Sequence, residues 1–295
     1  MDKVIKKIKE RGVVLYHLLK PEDVVDALVS IIAIAIIANG SIHLKEINRL
    51  ISAILFGFFL FSGSIILHQY YDYESDKANK PYRPIVSGKI KRENVLIIAI
   101  LFYCFAIMLS VQLGFTYLVI SIGGILFSVI YSHPQYHSRK ESIILPLIFL
   151  NIGYTVITFL IGWEVYQEIV NIPMGLLMFL FITDMGAVFC KDYRDYEGDK
   201  KQGYITLPIF YGYHRAAKIN LIIYLTPFII LFILSLFHVI PIRFSIVGLY
   251  YIITGYYAFS LLFNDKNKAN AIKCYHIITA NLILIRVLCV WALVL

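Results

Sequence analysis

A near-duplicated acidic segment is the feature that most limits what this chain can be. The segment D-Y-E-S-D-K begins at Asp72, and D-Y-E-G-D-K begins at Asp195. In each copy two aspartates are four residues apart, so on a helix they share one face. Carboxylate oxygens are the ligands that Mg²⁺ prefers, and Mg²⁺ commonly bridges carboxylates to substrate phosphates. Two copies, each following a long apolar stretch, therefore predict one site with a diphosphate between them, whereas solvated loop charges would not explain the duplication.

The composition is that of a membrane protein. Of the 295 residues 59% are hydrophobic and only 16% are charged, whereas soluble domains average about 25% charged residues. The mean hydropathy is +0.75. Because a bilayer-spanning helix needs about 17–25 mostly apolar residues, we predict an all-α integral membrane protein, a bundle of nine transmembrane helices. The predicted spans are 22–40, 49–68, 94–112, 115–131, 143–162, 172–190, 218–237, 244–263 and 276–294.

The basic residues follow this predicted topology. They concentrate at the N-terminus and in the loops after every second span, while the opposite loops contain only Lys45, Arg49 and Arg243. Since Lys- and Arg-rich loops stay in the cytoplasm, the N-terminus and both acidic segments should be cytoplasmic and the C-terminus outside. The topology accounts for the net charge of +8, so we expect no nucleic-acid partner. Residues 1–20 are expected to form a cytoplasmic interfacial helix, because no small-residue cleavage pattern follows them.

Each acidic segment opens a long polar loop, at 68–93 and at 191–217. Four predicted spans separate these loops, so the chain resembles two sub-bundles in tandem with a ninth helix appended. We therefore expect residues 1–295 to form a single membrane-embedded domain. The cysteines lie in or beside spans without CxxC spacing, so we predict neither a disulfide nor a zinc site.

Basic side chains accompany both acidic segments and are the candidates for binding a diphosphate. Arg83 lies in the sequence P-Y-R-P, and the two prolines restrict the backbone around it. A guanidinium held in this way offers bidentate donors to phosphate. For any one of these residues, positive-inside topology alone is the alternative explanation. The candidates beside the acidic segments are Lys77, Lys80, Arg83, Lys191 and Arg194, and the loop after the fourth predicted span adds Arg139 and Lys140 near the same membrane face.

These segments resemble the two aspartate-rich motifs of the UbiA superfamily of intramembrane prenyltransferases. The family's first motif, N-D/Q-x-x-D-x-x-x-D followed by K-x-N-K-P-x-R-P-x-x-S-G, corresponds to residues 68–88. Its second, D-x-x-D-x-x-G-D leading to T-L-P, corresponds to 192–199 and 206–208. The L-K-P at 19–21 stands where the family often has L-R-P, and residues 131–140 fit its Y-S…K-R loop. The resemblance covers nearly the whole chain and implies the family's nine-helix fold.

The resemblance also implies substrates, cofactor and residue roles. With the help of Mg²⁺, an isoprenoid diphosphate would be ionised to an allylic carbocation, while basic residues stabilise the negative charge on the departing diphosphate. Two or more Mg²⁺ ions would bind, and Mn²⁺ could replace them. The implied metal ligands are Asp72, Asp76, Asp192, Asp195 and Asp199. The residues implied to act in catalysis are His68, Lys80, Arg83, Tyr131, Lys140, Lys191 and Arg194.

Two polar residues leave alternatives open. His68 stands where the family has asparagine, and imidazole suits Zn, Cu, Fe or Ni better than Mg²⁺. We therefore expect Asp72 and Asp76 to carry the first metal with water, and His68 to be a hydrogen-bonding partner, a proton acceptor or a packed interfacial residue. Asn151, inside the fifth predicted span, is expected either to line the cavity or to bond a neighbouring helix.

The function that the resemblance implies first is transfer of the prenyl group to an acceptor within the lipid bilayer. The acceptor could be an aromatic ring, a glycerol-phosphate lipid, a haem or a chlorophyll-type acid, and the sequence does not choose among them. The second hypothesis is a membrane-embedded terpene cyclase, in which the cation attacks its own double bonds. The third is a transporter, because charges inside spans, here Asp184 and Arg286, often mark ion pathways. Clustering of the carboxylates at one membrane face argues against the third.

Overall fold

The structure is a computed structural model that describes residues 12–42, 46–133, 142–264 and 266–295. All regular secondary structure in these residues is helical, which confirms the predicted all-α class. Two candidate residues, Arg139 and Lys140, lie outside the described residues, as does most of the predicted N-terminal helix. The part of that helix that the structure describes, residues 12–19, is helical.

The chain divides into two compact units. Unit 1 comprises Met1–Leu28 and Ile51–His137, and unit 2 comprises Val29–Leu50 and Ser138–Leu295. Helix α1 (Pro21–Asn39) continues from unit 1 into unit 2. The prediction that all 295 residues form one domain stays a prediction.

Besides helical residues 12–19 and the beginning of α1, unit 1 contains three long helices and one short one. They are α2 (Ile47–Tyr71), which starts in unit 2, α3 (Tyr73–Asn79), α4 (Arg92–Leu113) and α5 (Phe115–Ser132). The chain reverses between α4 and α5 at Gly114, whose φ of 121° favours glycine. The Tyr103 hydroxyl lies 2.7 Å from the Ser128 hydroxyl, which donates to Ser64 at 2.8 Å. These hydrogen bonds join the three long helices inside the unit.

Besides a short 3₁₀ helix at Ile169–Asn171, unit 2 contains the remaining α-helices. They are α6 (Leu145–Trp163), which contains a π-helical turn at Ile152–Ile157, α7 (Met174–Val188), α8 (Cys190–Arg194), α9 (Tyr196–Gln202), α10 (Leu207–Tyr211), α11 (Tyr213–Leu236), α12 (Arg243–Ser260) and α13 (Lys268–Leu293). Small residues let these helices approach closely. A Cβ added at Gly186 of α7 would lie 2.8 Å from the Tyr224 Cα, and one at Gly255 of α12 would lie 2.5 Å from the Tyr224 ring. Close approach at glycine is typical of helix packing in membranes.

Seven stretches of helix in the described residues are long and apolar enough to cross a membrane. They are Ile47–Tyr71, Arg92–Leu113, Phe115–Ser132, Leu145–Trp163, Met174–Arg194, Tyr213–Leu236 and Lys268–Leu293. The first and eighth predicted spans are also helical, as α1 and α12. However, α1 begins with three acidic residues among its first six, and α12 contains four tyrosines and an arginine. The count of nine transmembrane helices therefore stays a prediction.

The charges inside the spans of unit 2 pair with each other. Arg286 of α13 donates to Asp184 of α7 at 2.5 Å, and Thr155 of the π-helical turn donates to the same carboxylate oxygen at 2.5 Å. Arg286 also donates through Nε to Ser30 of α1 at 3.2 Å. All four side chains are buried. This pairing gives both charges a structural role and takes away the feature on which the transporter hypothesis rests.

Asn151, one turn before Thr155, is fully buried. Neither polar atom of its side chain has a hydrogen-bond partner within the described part of the chain. The bond to a neighbouring helix, one of the two alternatives that the sequence left open, is thus not formed here.

Candidate active site

The two acidic segments adopt the same local structure. Asp72 interrupts the helix between α2 and α3 with φ −74° and ψ 4°, and Asp195 interrupts it between α8 and α9 with φ −95° and ψ 5°. The N–H of Asp76 donates to the Asp72 carbonyl at 2.8 Å, and that of Asp199 donates to the Asp195 carbonyl at 3.0 Å. In each copy, the helix is interrupted at the first aspartate, and the second aspartate lies one helical turn later. The repeat in sequence is therefore also a repeat in backbone structure.

In unit 1, the second aspartate of the segment is paired with the arginine between the prolines. Arg83 donates to a carboxylate oxygen of Asp76, and both side chains are buried. Burial raises the pKa of Asp76 above its ordinary value, and the neighbouring Arg83 charge acts in the opposite direction. The loop itself is compact, since the Arg83 N–H donates to the Lys80 carbonyl at 3.0 Å. The prediction that the loop backbone holds Arg83 in a defined position agrees with this geometry.

His68 contacts the first aspartate of the same segment. Its Nε2 lies 3.0 Å from Asp72 Oδ2, and its ring stacks on Tyr131 with centroids 5.1 Å apart and planes at 24°. The imidazole therefore both packs against an aromatic ring and orients a predicted metal ligand. The Lys77 ammonium contacts neighbours on α3, since it lies 3.0 Å from the exposed Glu74 carboxylate and 4.4 Å from the centre of the Tyr73 ring.

A further cation approaches this segment that the predicted set of site residues lacked. Lys20 connects residues 12–19 to α1, and its ammonium lies 3.8 Å from Asp23. Burial, followed by the repulsion of Arg83 and Lys80, lowers the pKa of Lys20 to about 8. The attraction of Asp23, and to a smaller extent that of Asp72, acts on the pKa in the opposite direction. The signal for Lys20 in the sequence was the L-K-P at 19–21, which matches a motif but does not say what the lysine approaches.

A hydrogen bond fixes the segment that carries Lys20. Gln69, in the helix of the acidic segment, donates through Nε2 to the Leu18 carbonyl at 2.7 Å. The contact joins residues 51 positions apart, so it depends on tertiary packing.

In unit 2, the acidic segment is held by residues around α13. Both Nε and Nη2 of Arg194 donate to Asp195, each at 3.3 Å. The guanidinium carbon lies 4.1 Å from the centre of the Tyr275 ring on α13. Lys266, just before α13, lies 2.5 Å from the Glu197 carboxylate. The carboxylates of Asp192 and Asp199 are buried.

The end of α9 reverses the chain after the last of these aspartates. Gly203 has a φ of 69°, in the left-handed region that favours glycine. The N–H of Tyr204 then donates to the Asp199 carbonyl at 3.0 Å. This cap keeps the loop close to the aspartate.

Each unit thus brings together one half of the predicted site. Unit 1 assembles His68, Asp72, Asp76, Lys80, Arg83 and Tyr131, and unit 2 assembles Lys191, Asp192, Arg194, Asp195 and Asp199. That both halves serve one diphosphate stays a prediction from the sequence.

The oxygen ligands that the two acidic segments offer are of the kind that Mg²⁺ prefers. The described residues contain no group of three or more His, Cys, Asp or Glu side chains arranged to hold a metal. Each acidic segment offers paired carboxylates instead. Mg²⁺ usually keeps several waters and binds through one or two carboxylates together with substrate phosphates. Paired carboxylates beside lysine and arginine therefore suit a Mg²⁺–diphosphate complex better than a metal bound by protein alone.

Comparison with known proteins decides the family. The family model of the UbiA prenyltransferases matches residues 27–283. The chain belongs to the UbiA prenyltransferase family. The resemblance drawn from the two motifs is therefore confirmed, and the protein is a multi-pass membrane enzyme of the prenyltransferase class.

The chain is similar over most of its length to two enzymes that share one name. The chain is 28% identical over 271 residues to the digeranylgeranylglyceryl phosphate synthase of Methanobrevibacter smithii, a match covering 88% of this chain and 91% of the relative. It is 30% identical over 242 residues to the synthase of the same name from Methanocaldococcus jannaschii, covering 77% and 79%.

Solved structures of UbiA homologues have the same fold. The Archaeoglobus fulgidus homologue bound to DMAPP and Mg²⁺ aligns with a TM-score of 0.66 and 18% identity, over 92% of this chain and 97% of that one. A structure of a digeranylgeranylglyceryl phosphate synthase aligns with a TM-score of 0.66 and 22% identity, over 95% and 98%. Because the sequence identities are below 25%, these structural alignments establish a shared fold and nothing more specific.

Proposed function

We propose that this UbiA-family protein transfers a geranylgeranyl group from its diphosphate to the hydroxyl of a glycerol-phosphate lipid that already carries one such chain. The observation that carries the choice of acceptor is the match, over more than three quarters of the chain, to two enzymes named digeranylgeranylglyceryl phosphate synthase. That name describes a glyceryl phosphate with two geranylgeranyl chains. The donor would be the diphosphate of the second chain, and Mg²⁺ the cofactor.

The carboxylates would hold the metal and the basic residues the diphosphate. Asp72 and Asp76 would bind Mg²⁺ in one motif, and Asp192, Asp195 and Asp199 would bind it in the other. The bound ions would neutralise the diphosphate; their number, and use of Mn²⁺ in their place, belong to the proposal. His68 would orient the Asp72 carboxylate through the 3.0 Å contact, with Tyr131 packed behind its ring.

The basic side chains would stabilise the leaving group. As the C–O bond breaks, negative charge grows on the diphosphate and an allylic cation remains. The residues proposed to contact the diphosphate are Lys20, Lys77, Lys80, Arg83, Arg139, Lys140, Lys191 and Arg194. The lipid hydroxyl oxygen would then bond to the cation, and its proton would pass to an oxygen of the released diphosphate. Because water would quench the cation, a helical bundle in lipid favours transfer over hydrolysis, and aromatic ring faces attract the cation.

The orientation in the membrane also belongs to this proposal. Both motifs and the N-terminus would face the cytoplasm, where soluble prenyl diphosphate and Mg²⁺ are available, and the C-terminus would lie outside. The distribution of Lys and Arg supports it.

A pH dependence should reveal whether Lys20 contacts the diphosphate. Its pKa of about 8 means that it is cationic below this pH and neutral above it. We therefore expect KM for the prenyl diphosphate to rise about tenfold between about pH 7 and about pH 9, because a hydrogen bond to a charged group contributes about 1.5 kcal/mol. Steady-state kinetics across this range measure the change.

Lys20→Arg is the matched control, since its guanidinium stays charged throughout. The KM of this variant should change less over the same range than that of the wild type. Identical pH profiles of the two proteins would show that Lys20 does not contact the diphosphate.

The proposed function is tested by product analysis. Purified protein in lipid is incubated with geranylgeranyl diphosphate and Mg²⁺, alone or with geranylgeranylglyceryl phosphate or an aromatic acceptor, and the extracts are analysed by mass spectrometry. We expect a digeranylgeranyl ether product only with the lipid acceptor, and none after chelation of the metal. Cyclic hydrocarbons without acceptor would establish the terpene cyclase instead. A product only with the aromatic ring would overturn the choice of acceptor.

A further inference from the structure

We propose that Tyr275 is a positioning residue for Arg194: its ring holds the guanidinium against Asp195 so that the arginine is ordered to receive the diphosphate. The proposal rests on the proposed function, in which Arg194 contacts the diphosphate and Asp195 binds Mg²⁺. It adds a residue of α13, remote in sequence from both aspartate-rich segments.

The geometry of the contact supports this role. The Arg194 guanidinium lies over the Tyr275 ring at 4.1 Å, within the range of a cation–π interaction. Its Nε and Nη2 donate to the two carboxylate oxygens of Asp195, both at 3.3 Å. The Tyr275 ring on α13 and the Asp195 carboxylate after α8 therefore determine where this side chain lies. About a quarter of the Arg194 side chain is exposed, so a ligand can reach it.

The chemistry of arginine explains why such a support would be needed. A guanidinium has five N–H donors, more than one carboxylate takes up. Its long side chain loses considerable rotamer entropy when it is fixed, and stacking on a ring lowers this loss at the moment of binding. Without the ring, Arg194 would have Asp195 as its neighbour but no surface to define its plane. The entropy lost on fixing the Arg194 side chain would then weaken diphosphate binding.

Another cation–ring contact in unit 2 supplies a control. Lys273, also on α13, lies over the ring of Tyr257 at 5.6 Å, but Tyr257 is half-exposed and neither residue belongs to a motif. This pair is also a cation over a tyrosine ring in unit 2, with a lysine ammonium in place of the guanidinium. Tyr257 is therefore a matched control for Tyr275.

The experiment measures binding separately from turnover. Magnesium-dependent binding of the unreactive geranylgeranyl thiolodiphosphate is followed by calorimetry, and KM and kcat are measured in parallel. Tyr275→Leu should weaken binding and raise KM about tenfold, with a much smaller change in kcat. Tyr275→Phe keeps the ring and loses only the hydroxyl that also hydrogen-bonds Arg194, so it should retain most of the binding. Tyr257→Leu should behave as wild type.

A double-mutant cycle isolates the contact. In an Arg194→Met background, Tyr275→Leu should weaken binding no further. A full additional loss there would overturn the proposal, as would Tyr275→Phe falling as far as Tyr275→Leu, or Tyr275→Leu binding as wild type. If Tyr275→Leu does not fold, Tyr275→Met replaces it with the same expectations.

The outcome distinguishes this proposal from the one on which it rests. Wild-type protein that binds no thiolodiphosphate with Mg²⁺ would remove the proposed function and the positioning role together. If the wild-type protein binds the thiolodiphosphate and Tyr275→Leu binds it equally well, only the positioning role would be removed.

Discussion

Replacing Asp195 with asparagine is expected to lower turnover of the prenyl diphosphate by about 10²–10³-fold or more. Asparagine has nearly the same shape but no charge, so the loss would come from weaker metal binding and a poorly neutralised leaving group. Asp72→Asn should have a comparable effect, because it occupies the same position in the other copy of the repeat. Single-turnover measurement of diphosphate release at saturating Mg²⁺ gives the rate.

The repeat itself supplies matched controls for this experiment. Each copy has a glutamate two residues after its first aspartate, Glu74 and Glu197. Their side chains are 75% and 70% exposed and paired with Lys77 and Lys266. Glu74→Gln and Glu197→Gln each remove one carboxylate from the same segment, and we expect turnover near that of the wild type. Near-normal turnover of both aspartate variants, or equal losses in the glutamate variants, would contradict the metal-assisted mechanism.

Replacing Arg286 with methionine is expected to destabilise the protein by about 3–5 kcal/mol. The change leaves Asp184 buried without its counter-charge, and it also removes the hydrogen bond to Ser30. Breaking one partner of a buried ion pair costs more than replacing both, since the remaining charge is desolvated without compensation. Denaturant-induced unfolding in detergent, followed by helix content, measures the loss.

The double variant decides whether the ion pair accounts for this loss. Asp184→Leu combined with Arg286→Met should recover most of the stability, because no charge is then left unpaired. Arg243→Met is a control at an exposed arginine that donates to the Trp291 carbonyl at 3.2 Å, and it should change stability little. A single variant as stable as the wild type, or a double variant less stable than the single, would contradict this account.

Hydropathy predicted where helices exist better than where they end. The second predicted span stops at His68, yet α2 continues for three more residues, to Tyr71. The discrepancy has a physical reason: hydropathy marks the residues expected in lipid, whereas backbone hydrogen bonding continues the helix into the polar headgroup region or water. For the site this matters, because the extra turn places His68 and Asp72 at helical spacing and within 3.0 Å.

The predicted site residues also separate into those with local and those with distant partners. Arg83 and Asp76 are seven residues apart, and the proline-bracketed turn between them could be read directly. The contact between Arg194 and Tyr275 could not, because it depends on how α13 packs beside α8. Lys20 is intermediate: its motif was visible, but its approach to Arg83 needed the fold.

By itself the sequence determined the helical membrane class, the family and the local structure of both aspartate-rich segments. These follow from composition, motif spacing and backbone preferences between near neighbours. Only the tertiary structure decided the partners of the buried charges, such as Asp184 with Arg286 across 102 positions. Which faces of two helices meet depends on close packing, as at Gly186 against Tyr224. No pattern within either helix specifies that contact, because the free energy that selects it arises only when both are packed together.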